Sequence, residues 1–283
     1  MFSTAVSLER AAAQIRRDVI VQTVVARSGH PGGALGIADI VAALYFGYLR
    51  HDPSNPEWED RDRFVLSNGH CCAALYSALA RSGYFPAEEL LTFRSIGGRL
   101  QGHPARVDLP GVETSAGPLG QGLSVAIGMA LAARLRTSDA RACCLLGDGE
   151  LQEGQVWEAA MTAAHYRLDR MCAIVSDNGL QIDGPTRLVK DVAPIARRFE
   201  AFGWSVVEID GHDLDAIQRA LDQFHATTGR PTAIVATTTM GKGVAFMEGQ
   251  ARWHGKPPSE PEALDALEQL PVGFAPDLWG TER

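Results

Sequence analysis

Two short loops of this sequence carry side chains that together can bind a metal ion. One loop is Gly147-Asp148-Gly149 and the other is Asp177-Asn178-Gly179, and each ends an apolar run. Asp148 offers a carboxylate, Asn178 offers an amide oxygen, and Leu180 offers its backbone carbonyl. Such an all-oxygen set with one negative charge, completed by a diphosphate and water, suits octahedral Mg²⁺ or the more tolerant Ca²⁺.

The elements that bring these loops together are predicted by the apolar pattern around them. The runs Ala142 to Leu146 and Met171 to Val175 are predicted strands, and Glu153 to Leu168 is a predicted helix between them. A strand, helix, strand unit makes the two strands parallel. Both loops then lie at the carboxyl ends of neighbouring strands, where open α/β sheets bind ligands. Gly149 at this edge lets a phosphate approach the backbone closely and offers it an N–H group.

Four histidines on turns form a second group of candidates. His30, His103 and His254 lie on turns bounded by glycine or proline, and nothing in the local pattern requires a histidine at any of them. The alternative is that each is merely solvated. His70 lies at a predicted strand-to-helix turn, where the N-terminus of the following helix favours an anion. The alternative for His70 is a helix-capping turn in which its ring only packs.

The remaining pattern predicts one α/β domain with a parallel sheet flanked by helices on both faces. The predicted helices, besides the one already given, are Leu8 to Ser28, Leu35 to Tyr48, Cys71 to Arg81, Glu88 to Arg94, Ser124 to Arg136, Val189 to Phe202, Asp213 to Ala226 and Glu260 to Leu270. The further predicted strands are Phe64 to Leu66, Trp204 to Ile209 and Thr232 to Thr238. Residues 1–260 are predicted to form this domain, and 261–283 a linker or docking tail.

Composition excludes several classes of partner. The 283 residues carry a net charge of −8 with no block of Lys or Arg, which does not favour nucleic acid or an anionic membrane as partners. No apolar run is long enough to span a bilayer, and the first residues do not resemble a signal peptide. The five cysteines form no Cys-x-x-Cys pair, and we expect Cys143, Cys144 and Cys172 in the predicted strands to be small buried apolar residues. This usage predicts a cytoplasmic, reducing compartment.

Seven motifs stand in an order that resembles the diphosphate-binding part of the transketolase family. They extend from about residue 8 to 256 and are SGHPGGALGIAD, RFVLSNGH, GHP, GPLGQG, GDGELQEG, DNGLQIDG and WHG. A Gly-Asp-Gly triplet by itself is also a common turn. Followed by Asn178 across a strand, helix, strand pattern, it resembles the thiamine diphosphate fingerprint.

The resemblance implies thiamine diphosphate as the cofactor, together with Mg²⁺ or, in its place, Ca²⁺ or Mn²⁺. By position, the implied metal ligands are Asp148, Asn178 and the Leu180 carbonyl. The implied diphosphate contacts are His70, the Gly149 backbone, Asn178 and His254, and the implied aminopyrimidine contacts are Gly117 and Leu119. The histidines that would face the sugar are His30, His103 and His254. Glu153 and Glu158 match acidic positions at the interface between two subunits, although the local pattern equally suits a solvated helix face.

The implied activity is transfer of a two-carbon ketol unit from a ketose, phosphorylated or not, to an aldose. One histidine would accept a substrate proton and another would stabilise an oxyanion, but the sequence does not distinguish the two roles. No stretch matches the pyrimidine-binding and C-terminal domains of a full transketolase. We therefore expect a separate chain to supply them in an α2β2 assembly.

Three alternative functions remain open at this point. The first is the α subunit of a 2-oxo acid dehydrogenase, against which the SGHPGG, GHP and WHG motifs argue. The second is an enzyme similar to 1-deoxyxylulose-phosphate synthase, which carries all its domains in one chain. The third is an inactive cofactor-binding scaffold, against which the retention of every ligand type argues.

Overall fold

A computed structural model of the chain describes residues 6–279. Residues 1–5, on which part of the signal-peptide prediction rests, and residues 280–283, the end of the predicted tail, lie outside the described residues. The strands are β1 (Arg63–Leu66), β2 (Ala142–Gly147), β3 (Met171–Asp177), β4 (Leu180–Gln181), β5 (Gly184–Pro185), β6 (Ser205–Asp210) and β7 (Thr232–Thr237). The order β1-β2-β3-β7-β6 makes a parallel sheet, and β4 and β5 form a short antiparallel ribbon.

Ten α-helices are described around these strands. They are α1 (Leu8–Ala26), α2 (Pro31–Gly36), α3 (Ala38–Ala43), α4 (Cys72–Ser82), α5 (Gln121–Leu135), α6 (Gly154–His165), α7 (Thr186–Val189), α8 (Ile195–Ala201), α9 (Leu214–Ala226) and α10 (Glu260–Gln269). Side-chain caps start several of them, including α1, where Ser7 Oγ accepts the Arg10 N–H. α10 begins with a capping box between Ser259 and Glu262.

The sheet is buried on both faces, because alternate residues of its strands enter two separate apolar cores. Cys143 and Ile174 belong to the core shared with α1, α3, α4, α9 and α10. Cys144 and Val175 belong to the core shared with α5, α6 and α8. Parallel strands are usually covered in this way on both faces. The predicted fold class, a parallel sheet with helices on both faces, is confirmed, and all five cysteines are free and buried.

The central strand, helix, strand unit has the predicted arrangement. β2 and β3 are parallel neighbours joined through α6, and Gly147 is in register with Ser176. The two loops that follow these strands therefore lie side by side at the same edge of the sheet.

Several predicted helices differ from the structure, and the one expected over Glu88 to Arg94 is a 3-10 helix over Ala87–Thr92. The helix expected over Val189 to Phe202 is interrupted, since α7 ends at Val189 and α8 begins only at Ile195. Pro194 explains the break, because proline has no N–H and disfavours helical backbone in the residue before it. The helix expected from Leu35 begins earlier, at Pro31, the first helical position that proline favours.

The segment after residue 260 is not a free linker in its described part. Ala263, Ala266 and Leu267 of α10 are buried in the core that contains α1. Beyond α10, Asp277 forms an ion pair with Arg17 of α1. The predicted division at residue 260 therefore does not follow a boundary in the packing. None of the helices within residues 6–279 has the length and apolar character needed to cross a membrane.

Candidate active site

A cavity of about 380 Å³ lies at the carboxyl ends of β1, β2 and β3. It gathers the loops that follow these strands, the loop before α5 and two loops from the end of the chain. The predicted site residues that line it are His70, His103, Gly117, Leu119, Asp148, Gly149, Glu153, Asn178, Leu180 and His254. The structure thus brings residues from widely separated motifs to one place.

Asp148 is buried at the centre of this edge, with only 3% of its surface exposed. Its Oδ2 accepts the Gly179 N–H at 3.0 Å and the Thr186 hydroxyl at 2.9 Å, and neither donor uses Oδ1. Burial raises the pKa of Asp148 to about 6, the Thr186 hydrogen bond opposes this, and the nearby charge of Asp177 adds to it. A cation beside this carboxylate would stabilise its ionised form.

The other proposed ligands have the chemistry that a hard cation requires. The Leu180 N–H donates to Asn178 Oδ1 at 2.9 Å, which fixes the orientation of the Asn178 amide. Within residues 6–279, no cluster of three or more His, Cys, Asp or Glu side chains is arranged to hold a metal. A cation bound here would therefore need oxygens from the Asn178 amide, a backbone carbonyl and the bound diphosphate. That combination suits Mg²⁺, which usually keeps few protein ligands and binds substrate phosphates.

Unpaired polar atoms on the cavity wall are also consistent with a polar ligand. Asn68 Oδ1 and His254 Nδ1 are buried and have no hydrogen-bond partner among the described residues. Both residues line the cavity. Buried polar groups are normally paired, so these two atoms indicate that a group outside the chain completes the site. Gly117 and Gly147 line the same wall, and because they have no side chain their backbone is accessible from the cavity.

Four histidines form one cluster beside the cavity. The centre of the His30 ring lies 5.5 Å from that of His70, 6.0 Å from that of His103 and 5.8 Å from that of His254. The His70 and His254 rings are 4.9 Å apart. His30 is the N-cap of α2, and α2 packs closely at Gly32, where an added Cβ would lie 2.8 Å from the Trp253 backbone oxygen. His70, His103 and His254 line the cavity, and His30 lies behind them with its ring within 6.0 Å of each of the other three.

All four imidazoles favour the neutral form. Burial lowers the pKa of His30 to about 4, helped by the positive charge of Arg94 and by neighbouring histidines. Burial and the neighbouring histidines lower the pKa of His70 to about 3. The pKa values of His103 and His254 are also lowered, in both cases chiefly by burial. Neutral imidazoles can donate a hydrogen bond from one nitrogen and accept a proton at the other.

Glu150 is a buried acid whose role the sequence did not indicate. Its Oε1 accepts the Ser67 hydroxyl and, at 2.8 Å, the Gly120 N–H, and its Oε2 accepts the Gly147 N–H at 3.1 Å. Ser67 Oγ in turn accepts the Gly122 N–H at 3.1 Å. One carboxylate therefore ties together the loops after β1, after β2 and before α5. Burial raises the pKa of Glu150, and the three donors oppose this shift.

We expect Glu150→Gln to destabilise the fold. The amide NH₂ of glutamine would replace one acceptor oxygen, which leaves a buried donor such as the Gly147 N–H facing another donor. An unsatisfied buried donor costs about 1–3 kcal/mol, and we expect the free energy of unfolding to fall by this amount in urea. Glu158→Gln, a change at an exposed residue of α6, is the matched control. Equal midpoints and slopes for the two variants would contradict this role of Glu150.

Two acidic positions singled out by the resemblance lie in different surroundings. Glu153 is exposed and lines the mouth of the cavity. Glu158 is exposed on α6 outside the residues that line it. Three further polar residues at the site were not predicted from the sequence: Asn68, Thr186 and Arg94. Asn68 stands in the quoted RFVLSNGH motif, whereas no local pattern distinguished Thr186 or Arg94.

The fold and the site define a thiamine diphosphate-binding domain of the transketolase type. The family model described as "Transketolase, thiamine diphosphate binding domain" matches residues 8–278. The chain belongs to this family. The match confirms the predicted resemblance to the transketolase family, and none of the three alternatives fits it better.

Relatives of similar length are named as subunits of transketolases. The chain is 39% identical over 264 residues to an apulose-4-phosphate transketolase subunit of Phocaeicola vulgatus, covering 93% of this chain and 94% of that one. It is 42% identical over 249 residues to a 6-deoxy-6-sulfo-D-fructose transketolase subunit of Clostridium sp., covering 88% and 90%. The transketolase of Campylobacter jejuni superposes with a TM-score of 0.90 at 38% identity, over 98% of this chain and 44% of that one. The chain thus spans less than half of that solved transketolase.

Proposed function

We propose that the chain is the N-terminal subunit of a two-chain transketolase that moves a two-carbon ketol unit from a ketose to an aldose. The observation that carries this proposal is the single cavity shared by Asp148, Asn178 and three histidines, in a chain matched along nearly its whole length by subunit relatives. Thiamine diphosphate, when bound, would supply the nucleophilic carbon for this chemistry. The five buried free cysteines support action in the reducing cytoplasm.

The proposed cofactor residues serve the metal, the diphosphate and the aminopyrimidine, and Asn178 serves the first two. Asp148, Asn178 and the Leu180 carbonyl would hold Mg²⁺, or Ca²⁺ or Mn²⁺ in its place. The Gly149 backbone, Asn178, His70 and His254 would contact the diphosphate, and Gly117 and Leu119 would contact the aminopyrimidine. The unpaired His254 Nδ1 supports this proposal, because that nitrogen lacks a described protein partner.

The histidine cluster would act on the sugar. The ring centres of His103 and His254 lie 6.0 and 5.8 Å from that of His30. The neutral imidazoles can hold and move the proton of a substrate hydroxyl at neutral pH. Excluding water from this cavity would strengthen each of these hydrogen bonds.

A separate chain would complete the site. Leu119 and Ile182 line the cavity, yet 36% and 65% of their surfaces are exposed. Val125 of α5 and Met161 of α6 are exposed at 36% and 52%. A contiguous exposed apolar patch is typical of a protein interface. We propose that this face receives a chain with the pyrimidine-binding and C-terminal domains, in an α2β2 assembly that also uses Glu153 and Glu158.

The test is to purify the chain by itself and together with the chain that co-purifies with it. Ketol transfer would be assayed with thiamine diphosphate, Mg²⁺ and a panel of ketose donors that includes phosphorylated and sulfonated sugars. We expect no turnover from the single chain and full turnover after the partner is added. Full activity of the purified single chain would show that no partner is required.

Two variants with a charge on different exposed surfaces test where the partner chain binds. Met161→Glu places a charge on the exposed face of α6, outside the residues that line the cavity. We expect this variant to fold normally and to lose partner binding in analytical ultracentrifugation. Leu264→Glu, at an exposed position of α10, should still bind the partner. Equal partner affinity for both variants would argue against the α5–α6 face.

A further inference from the structure

Arg94 makes the one hydrogen bond that a ring nitrogen of the four clustered histidines forms within residues 6–279. Its Nη2 lies 3.1 Å from His30 Nδ1. The same guanidinium donates to Ser28 Oγ at 2.8 Å through Nη1 and to the Gly102 carbonyl at 3.1 Å through Nη2. Arg94 therefore joins the turn that carries His30 to the residue that precedes His103.

The chemistry of the two groups decides which nitrogen of His30 carries the proton. A guanidinium has N–H donors and no acceptor. His30 Nδ1 must therefore accept with its lone pair, so a neutral His30 carries its proton on Nε2. An imidazolium, or the tautomer protonated on Nδ1, would set two donors against each other. Nε2 lies on the far side of the ring from Arg94.

The backbone around Arg94 is built for this contact. Arg94 has a φ of 58°, a left-handed conformation that non-glycine residues adopt rarely, and its N–H donates to the Leu100 carbonyl at 2.8 Å. Gly102 admits the guanidinium, since an added Cβ there would lie 2.9 Å from Arg94 Nε. Such conformations persist where the surrounding structure enforces them, often at functional sites.

We propose that Arg94 is a positioning residue that holds His30 as the Nε2–H tautomer, so that His30 donates a hydrogen bond to a substrate oxygen. The role of His30 as a donor to substrate rests on the proposed function. The assignment of the His30 tautomer does not depend on that function. It leaves proton acceptance to His103 or His254, whose ring nitrogens have no hydrogen-bond partner in the described part of the chain. Two roles that the sequence could not separate are thereby distinguished.

Nuclear magnetic resonance of the full chain with ¹⁵N-labelled histidine tests the tautomer directly. The His30 signals are identified by their loss in His30→Asn. In the wild type at pH 7 we expect a protonated Nε2 and a bare Nδ1. In Arg94→Met the loss of a nearby positive charge should raise the His30 titration midpoint by about one pH unit or more. The charged and titratable groups that remain around His30 are His70, His103 and His254.

Arg99→Met is the matched control, because Arg99 pairs with Glu89 at 2.7 Å on the surface. It should leave the His30 signals unchanged. A wild-type spectrum with a protonated Nδ1 would overturn the proposal. This measurement uses the wild-type protein, so it does not depend on whether a variant folds. An Arg94→Met spectrum with the wild-type midpoint would overturn it as well.

Turnover of the two-chain enzyme tests the catalytic consequence. Arg94→Met should lower kcat roughly 10- to 100-fold, as small misplacements of a reacting group do, with unchanged thiamine diphosphate affinity. Turnover equal to the wild type would overturn the positioning role. Absence of ketol transfer in the wild type would instead count against the proposed function, and the tautomer would still be decided by the spectrum.

Discussion

Asp148→Ala should lose nearly all affinity for thiamine diphosphate and Mg²⁺. Asp148 supplies the one carboxylate of the proposed metal site, and no arginine or lysine is among the described residues that line the cavity. Changes to residues that only support a metal ligand cost roughly 10- to 100-fold in affinity, so loss of a ligand should cost at least the upper end of that range. Isothermal calorimetry with both Mg²⁺ and the cofactor measures the effect.

Two further variants separate charge from folding at this position. The Asp148→Ala substitution also leaves the Thr186 hydroxyl and the Gly179 N–H without their acceptor. Asp148→Asn keeps an acceptor oxygen and removes the charge, so it should fold well and still bind poorly. Asp177→Asn changes the neighbouring half-buried carboxylate and should bind nearly as the wild type does. Wild-type binding by Asp148→Ala would show that the site is assigned to the wrong residues.

His30→Ala should reduce turnover of the two-chain enzyme by roughly 10²- to 10⁴-fold, the range for loss of a group that moves or stabilises a proton. Its affinity for thiamine diphosphate should remain close to that of the wild type, because His30 does not line the cavity wall at the strand ends. His254→Ala should lower both quantities, since His254 lines that wall. Steady-state kinetics and calorimetry on the same preparations separate the two effects.

A distant histidine provides the control for this pair. His225 lies in the last turn of α9 and contacts Arg141 at the surface. His225→Ala should leave both turnover and cofactor affinity unchanged. If His30→Ala turned over at the wild-type rate, His30 would have no part in the mechanism.

The sequence predicted the parts of this fold that depend on local pattern. The apolar runs around Cys143 and Cys172 are strands, because continuous apolar runs suit strands buried on both faces. The break at Pro194 lay within an otherwise helical pattern, and it was missed although proline carries a clear local signal. The early start of α2 was missed because Gly32 and Gly33 suggest a turn, whereas close packing requires them inside a helix.

The candidate site residues that belong to sequence motifs were predicted. The residues that reach the site only through tertiary contacts were missed. Asp148 and Asn178 are separated by one strand, helix, strand unit, so parallel pairing was enough to bring their loops together. Glu150 and Arg94 act through partners that lie far away in the chain, such as Gly120 and His30. Their hydrogen bonds depend on the tertiary arrangement of the loops, which no local periodicity encodes.

The docking of residues 260–279 on α1 bears on how this domain unfolds. A tail rich in proline and glycine usually behaves as a tether that moves independently of the domain before it. Here Arg17 of α1 donates to the Leu267 and Leu270 carbonyls at 2.8 and 3.0 Å, and the Ala275 N–H donates to Gln14 at 2.9 Å. The first and last described helices therefore belong to one cooperative unit, in which loss of either exposes the buried face of the other.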